Sequence, residues 1–380
     1  MDVSILEGSQ AILAHADLLE QLAERSGQLG AMNWLGFFLG GRGALWKRPY
    51  VVLCLQSGAD ASSLQLDIFL GAVLFFELNL LGVPTGVFST DDWEGLRTVV
   101  ADASQRHEVA ARATEALLDR GAQVVVTTYA CAAAEGLRAG PLLQRSGIMW
   151  AENDRLVTKS RLNLASSFEQ TLTNFGAKTR TQLRYYRRRL EKELQCIFLP
   201  DSHELLEEED LIRLAAISRE HISTTECRRR YRAARDLPGG FLMAIRTPDG
   251  QLLSSLAGWR QGTTTVMYHQ INASGYPKHS IGSVMRSYFI ESEIQRGART
   301  LIFYHGTNDT ISHSFESDLV RDLVARRTSS YPTLLLKLLG LVVSPRRFRE
   351  THYLGGSTTF LASILASDAL EWHPGPADKA

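Results

Sequence analysis

The stretch YPKHSIGSVMRSYFIESEIQRGARTLIFYHG, residues 276–306, decides how the rest of the chain is read. It divides into three pieces. A polar loop runs to His279. An apolar-periodic run from Ser280 to Gln295 predicts a helix that Gly297 stops. The run after it, RTLIFYHG, is β-branched and aromatic and predicts a strand. An earlier stretch, SQRHEVAARATEALLDRGAQVVVTTYA at residues 104–130, has the same plan. Arg120–Gly121–Ala122 and Arg296–Gly297–Ala298 differ in number by 176, and at that offset Ser104 falls on Ser280. Each serine is expected to cap its helix. A strand–loop–helix–strand unit present twice predicts two similar α/β (α+β) lobes, each a mixed central sheet flanked by helices.

The flanks fit that plan. PYVVLCLQSG (49–58) and GAVLFFELNLLGVPTGVFS (71–89) predict strands ahead of the first helix, with a turn at Gly82–Pro84. GQLLSSLAGWRQGTTTVMYHQINASG (250–275) predicts strands ahead of the second, turning at Asp249–Gly250 and Gln261–Gly262. Between the lobes a basic helix is expected over 178–194. Lys178, Arg180, Arg184, Arg187, Arg188, Arg189 and Lys192 stand against Glu191 and Glu193, and Leu183, Tyr186, Leu190 and Leu194 form an apolar stripe. The expected boundaries are an N-terminal lobe over 1–155, a C-terminal lobe over 156–360, and a polar tail over 361–380 that frays.

The totals narrow the function. Lys+Arg and Asp+Glu are both 41, a balance that argues against a general nucleic-acid binder. Cys54, Cys131, Cys196 and Cys227 are far apart, with no CxxC or Cys/His ladder, so no metal site is expected and a reducing, cytoplasmic setting fits. DIFLGAVLFFELNLLGV (67–83) is interrupted by Asp67 and Glu77 and is short for a membrane span. TLLLKLLGLVV (333–343), followed by Arg346, Arg347 and Arg349, reads either as a packed helix or as a peripheral membrane contact over 333–349. There is no GxSxG, HExxH, P-loop or GxGxxG.

Three stretches carry a family likeness: KTRTQLRYYRRRLEKE (178–193), LPGGFLMAIRTPDGQLLSSLAGWRQGTTTVMYHQI (237–271) and YPKHSIGSVMRSYFIESEIQRGARTLIFYHGTND (276–309). They resemble the GNAT acyltransferase superfamily, in particular its double-lobed CelD-like, acetyltransferase-like branch, related in fold to the FemABX aminoacyl transferases. The likeness covers about residues 156–310 and is fainter in the first lobe, whose counterpart loop has no glycine and implies a degenerate copy. The resemblance implies an N-acyltransferase that takes an acyl group from an acyl-CoA (acetyl-CoA or longer) and passes it to a small-molecule or amino-acid-like amine. A FemABX-like transfer from charged tRNA, or a degenerate binding protein, are the alternatives it leaves. The superfamily's phosphate loop follows [QR]xxGx[GA]. Here Pro277 takes the first position and Ser280 the first glycine; only Gly282 is kept.

The corner also has a physical reading of its own. The first turn of a helix exposes unpaired N–H groups and a partial positive charge, which favours an anion. Lys278, His279, Ser280, Ile281, Gly282 and Ser283 are the expected donor-binding residues; alternatively Ser280 only caps the helix and Lys278 is solvated. A transferase also needs a base for the amine and a proton donor for the leaving thiolate. His269 and His305 are the candidate bases, because an imidazole titrates near neutrality. The resemblance makes Tyr304 the candidate donor to the thiolate. Tyr268, Asn308, Arg184 and Arg188 are expected at the substrate. Strand neighbours alternate faces, so Tyr268 and His269 are not expected to share one, nor are Tyr304 and His305. The basic helix either binds phosphates of a nucleotide, lipid headgroup or RNA, or pairs with the acidic LLEEED segment (205–210).

Overall fold

The repeat legible in the sequence is built twice in the computed structural model. The structure describes residues 1–27, 39, 47–58, 65–80, 83–90, 98–131, 137–143, 146–156, 161–219, 222–236, 238–303, 314–316, 319–328 and 371–374. Tyr304, His305, Asn308 and the segment 333–349 lie outside the described residues. The chain divides into two units, residues 1–156 with 319–380, and residues 157–318.

The first unit holds β1 (Asp2–Glu7), α1 (Ser9–Leu13), α2 (Ala16–Arg25), β2 (Lys47–Leu55), β3 (Phe69–Leu80), β4 (Val83–Ser89), β5 (Val99–Ala101), α3 (Arg106–Asp119), β6 (Val124–Ala130) and β7 (Ile148–Leu156). The second holds β8 (Arg161–Asn163), α4 (Phe168–Leu172), α5 (Ala177–Leu194), β9 (Ile197–Leu199), α6 (Glu208–Ala216), α7 (Thr224–Asp236), β10 (Gly240–Arg246), β11 (Leu252–Gln261), β12 (Thr264–Asn272), α8 (Ile281–Gln295) and β13 (Thr300–Phe303). The chain then returns to the first unit as β14 (Leu319–Arg327) and β15 (His373–Pro374).

The first sheet has the order β1-β2-β3-β4-β6-β14-β7-β15, with β5 on β3; the second runs β8-β13-β12-β11-β10-β9. In each, one described pair is parallel, β4 with β6 and β12 with β13, and the helix of the repeat joins that pair. Both helices close the same way. Ala122 N donates to Leu117 O, and Ala298 N to Glu293 O, both at 2.9 Å. Gly121 N reaches Leu118 O at 3.1 Å and Gly297 N reaches Ile294 O at 2.9 Å. This is the Schellman closure, which needs a residue at positive φ; Gly121 sits at +106° and Gly297 at +87°. Every atom pair in it is displaced by 176 residues, as are the first residues of β6 and β13.

Two expectations about the C-terminal third are corrected. The sequence assigned 319–327 to the second lobe, but this strand pairs with β6 and β7 in the first sheet. Its polar residues show why: Thr128 donates to Asp322 Oδ1 at 2.6 Å, and Arg321 grips Asp154 through Nε at 2.5 Å and Nη2 at 2.9 Å. The tail expected to fray is also partly held, since His373 and Pro374 pair with Trp150 and Met149, and Trp372 lies under the Arg326 guanidinium at 4.2 Å.

The second sheet is covered on both faces. Phe241, Met243, Ile245, Leu256 and Met267 pack against α8 and α5, through Val284, Met285, Phe289 and Leu190. Leu242, Ala244, Ala257 and Ile271 pack against α6 and α7, through Leu211, Leu214 and Tyr231. Alternation along β10 sends successive side chains to these two faces. α8 is fixed further by Glu293, 1% exposed, which accepts from Arg260 Nη2 at 2.8 Å and Thr265 Oγ1 at 2.7 Å.

Candidate functional site

The corner begins at Ser280, whose backbone is left-handed at φ +47°, ψ +48°. Among the described non-glycine residues only Gln195 shares a positive φ. The expected cap is therefore corrected. A capping serine sits in extended backbone and accepts from the first-turn N–H groups; Ser280 instead turns its Oγ to Ser283 Oγ, 3.1 Å away. Ser104 does not cap either, because it lies in a 3₁₀ turn and Gln105 precedes α3. The left-handed turn costs a side chain roughly 1–2 kcal/mol. Ser280 occupies the first glycine position of the loop pattern, so the backbone conformation that glycine serves is present with serine on it.

Gly282 follows in the first turn of α8. A Cβ there would stand 3.1 Å from Asn272 Nδ2, so the missing side chain lets the helix approach the end of β12. A chain of hydrogen bonds fastens the approach. Gln270 Nε2 donates to Gly282 O at 3.0 Å and to Asn272 Oδ1 at 2.9 Å. Ser254 Oγ donates to the same Asn272 oxygen at 2.8 Å, and Arg286 Nε donates to Gln270 Oε1 at 3.0 Å.

Two clefts flank this corner. One, of about 400 Å³, lies between α5 and α8 and is lined by Thr179, Leu183, Tyr186, Ser283, Arg286 and Phe303 among others. The other, of about 350 Å³, lies beyond Ser280–Ser283 toward Arg219, Ser274 and Tyr276. The parallel pairing of β12 with β13 covers Thr264–Met267 against Thr300–Phe303. β12 then runs on to Asn272 with no strand on that edge among the described residues, and Phe303 at the parting lines the larger cleft.

The predicted residues separate into groups. Ser280, Gly282 and Ser283 line both clefts and Ile281 the smaller one. Lys278 is exposed and lines neither. His279 turns to α5, with Nε2 2.9 Å from Glu193 Oε2. Arg189, first, and then His279 hold the Glu193 carboxyl below the usual range. Arg184 is exposed and pairs with Glu169, and Arg188 bonds the backbone of Arg184 at 3.2 Å; neither lines a described cleft.

Tyr268 and His269 show a difference the alternation rule did not anticipate. Ala257 pairs with His269 and Gly258 with Met267, which leaves Tyr268 as the extra residue of a β-bulge. His269 lies opposite Ala257 and thus faces α6 and α7, while Gln270 faces α8. Tyr268 turns the same way as His269, because its hydroxyl partners Arg229 on α7 and its ring stands edge-on to the imidazole at 5.8 Å. The two share a face after all. His269 is 6% exposed.

The basic helix α5 does not pair with LLEEED. Arg187 bonds Glu291 at 2.7 Å and Glu191 at 3.2 Å, and lies 4.1 Å over Tyr288; Arg189 bonds Glu193 at 2.9 Å. Glu208 of the acidic segment pairs instead with Arg228 and Arg232 on α7. That helix was missed, although ECRRRYRAARD (226–236) shows a run of arginines as plainly as α5 does. Arg286 was missed too; its signal was the i+3 position from Ser283, which puts both on one helical face. In the first unit the residue 176 before Gly282 is Arg106. Its guanidinium lies across the strand ends, bonding Ala130 O at 3.0 Å and Ala101 O at 3.4 Å.

Comparisons with known proteins fit this geometry. The family described as acetyltransferase (GNAT) domain matches residues 177–310, from the start of α5 past the end of β13. By sequence, no curated protein matches the chain. Among solved structures, FemX is 11% identical with a TM-score of 0.55, over 89% of this chain and 100% of its own. The C-terminal domain of a putative lysylphosphatidylglycerol synthetase from Agrobacterium fabrum is 10% identical with a TM-score of 0.50, over 87% of this chain and 96% of its own. At such identities the likeness is one of fold. Residues 177–310 of the second unit thus match a GNAT acetyltransferase domain, and the chain as a whole has a fold similar to that of FemX.

Proposed function

We propose that the protein is an N-acyltransferase that moves an acyl group from an acyl-CoA to a small or amino-acid-like amine. The observation that carries this reading is the corner itself. A helix N-terminus with glycine in its first turn opens between two clefts, at the edge where two parallel strands part. A phosphate-bearing donor fits there, its phosphates at the N–H groups of Ile281 and Gly282 and its tail along the open edge of β12. The left-handed turn at Ser280 supports the reading, because the loop keeps its shape without its glycine.

In the proposed reaction the amine nitrogen attacks the thioester carbonyl, the C–S bond breaks, and the thiolate takes up a proton. His269 lies on the sheet face away from α8, and we assign it the amine's proton, with the acceptor entering from the α6/α7 side beside Tyr268. Tyr304, the next residue after Phe303, is proposed as donor to the thiolate, and His305 and Asn308 as residues beside the acceptor. A cytosolic setting belongs to the same proposal; none of the four cysteines is in a disulfide among the described residues, and no helix among them is long and apolar enough to cross a membrane.

The fold likeness to FemX favours one second reading, transfer of an aminoacyl group from charged tRNA. Pairing of Arg184, Arg187 and Arg189 with carboxylates weakens it, since it reduces the charge that α5 offers to RNA. Calorimetric titration with coenzyme A and acetyl-CoA tests the first reading, with Gly282→Trp as control. Micromolar binding that the tryptophan abolishes is expected. Absence of binding, together with salt-sensitive binding of an aminoacyl-tRNA, would transfer the assignment to the second.

A further inference from the structure

We infer that Arg286 is the residue that reads the donor's phosphate, supplying from the helix wall the cation that the loop lacks. The inference rests on the donor reading above. In the loop pattern the cationic or amide residue comes first, and here that position is Pro277. The two basic side chains that follow do not replace it: Lys278 lines neither cleft, and His279 is turned to Glu193. Among the described residues lining the larger cleft, Arg286 is the one cationic side chain.

Its geometry suits the task. Nε is held by Gln270 Oε1 at 3.0 Å, and the guanidinium carbon lies 5.5 Å from the centre of the Phe303 ring. These contacts set the plane of the group. A guanidinium carries five N–H donors in a fixed fork, and the bond to Gln270 engages it at Nε, which sets the direction of the fork. Gln270 in turn bonds Gly282 O at 3.0 Å, so one amide couples the cation to the first turn of the helix. Ser280 and Ser283, which also line the cleft, add hydroxyls on the same side. Arg286 is half-buried, and a charge withdrawn from water acts more strongly on an anion than an exposed one. The ligand this arrangement recognises is a phosphate ester. A coenzyme A diphosphate and a phosphodiester at an RNA 3′ end both present that chemistry.

The experiment titrates the full chain and its variants with coenzyme A, with pantetheine, which has no phosphate, and with an RNA hairpin ending in CCA. Arg286→Met is expected to weaken the phosphate ligand that the wild type binds by about 10- to 100-fold, with pantetheine unchanged. Arg286→Lys should recover part of the loss as a point charge without the fork. Gln270→Leu, which keeps the arginine but unties it, should lose less than Arg286→Met, and it carries the test if the methionine variant fails to fold. The ligand whose binding responds identifies the phosphate's source. Wild-type affinity for that ligand in Arg286→Met overturns the inference and leaves the donor reading standing. An equal loss for pantetheine also overturns it, because the side chain would then be holding the cleft open. If the wild type binds neither coenzyme A nor RNA, the donor reading fails first and the inference with it.

Discussion

Replacing Glu293 by glutamine should be the most damaging one-atom change in the second unit. The carboxylate is 1% exposed and takes three bonds from Arg260, Nε at 3.1 and 3.2 Å and Nη2 at 2.8 Å, with Thr265 Oγ1 at 2.7 Å. The amide keeps the shape but removes the charge and turns one acceptor into a donor facing a guanidinium. Breaking a buried ion pair by removing one partner costs about 3–5 kcal/mol. Arg260 is 22% exposed and keeps some water, so the low end, ~3 kcal/mol, is the expected loss. For a unit of this size that lowers the melting temperature by roughly 6–12 °C. Because Glu293 ties α8 to β11 and β12, donor affinity should fall in parallel. The assay is urea unfolding followed by the fluorescence of Trp259, beside Arg260, with a thermal melt. An Arg260→Leu/Glu293→Leu double variant should be more stable than Glu293→Gln, since it removes both charges together. A Glu293→Gln protein that melts within a degree of wild type would refute the claim that this pair holds the helix.

Ser280→Gly should stabilise the protein by ~0.5–1 kcal/mol, because relief of the left-handed backbone exceeds the entropy glycine adds to the unfolded chain; a fall in urea midpoint would sink that account. Acid should weaken the α7 cluster with a defined sign. Burial alone would raise Glu226, but bonds from Arg229 and Arg230 outweigh it and hold the carboxyl below its ordinary 4.5. A depressed folded pKa means stability that is complete above the unfolded pKa and is lost as pH falls through the folded one. Glu226→Gln should therefore be less stable than wild type at pH 7, and the gap should close below about pH 4.5. Parallel stability curves for the two proteins between pH 7 and pH 3 would contradict it.

What was legible in the sequence was short-ranged. The ends of both repeat helices could be placed because Gly121 and Gly297 meet a local need for positive φ. The span of α5 could be placed because Leu183, Tyr186, Leu190 and Leu194 recur at helical spacing, and all four do join the core. Gly282 could be singled out because a helix start followed by glycine has a meaning within four residues. The candidate bases were less legible. One inserted residue on β12 turns His269 to the α7 face with Tyr268, and nothing in VMYHQI announces that bulge.

The sequence by itself determined where the two repeat helices, the basic helix and the strands beside the repeat lie, that one strand–helix–strand unit occurs twice, and which helix start resembles an anion site. Only the tertiary structure decided which sheet takes 319–327, which carboxylates neutralise α5, that Ser280 is left-handed, and that Arg286 stands in the cleft wall. The division follows from range. Helix periodicity, turn chemistry and glycine's φ act within a turn or two of the chain and leave a mark in the letters. The choice of partner is settled by residues such as Arg321 and Asp154, 167 positions apart, whose bond exists only once the sheet has brought them together.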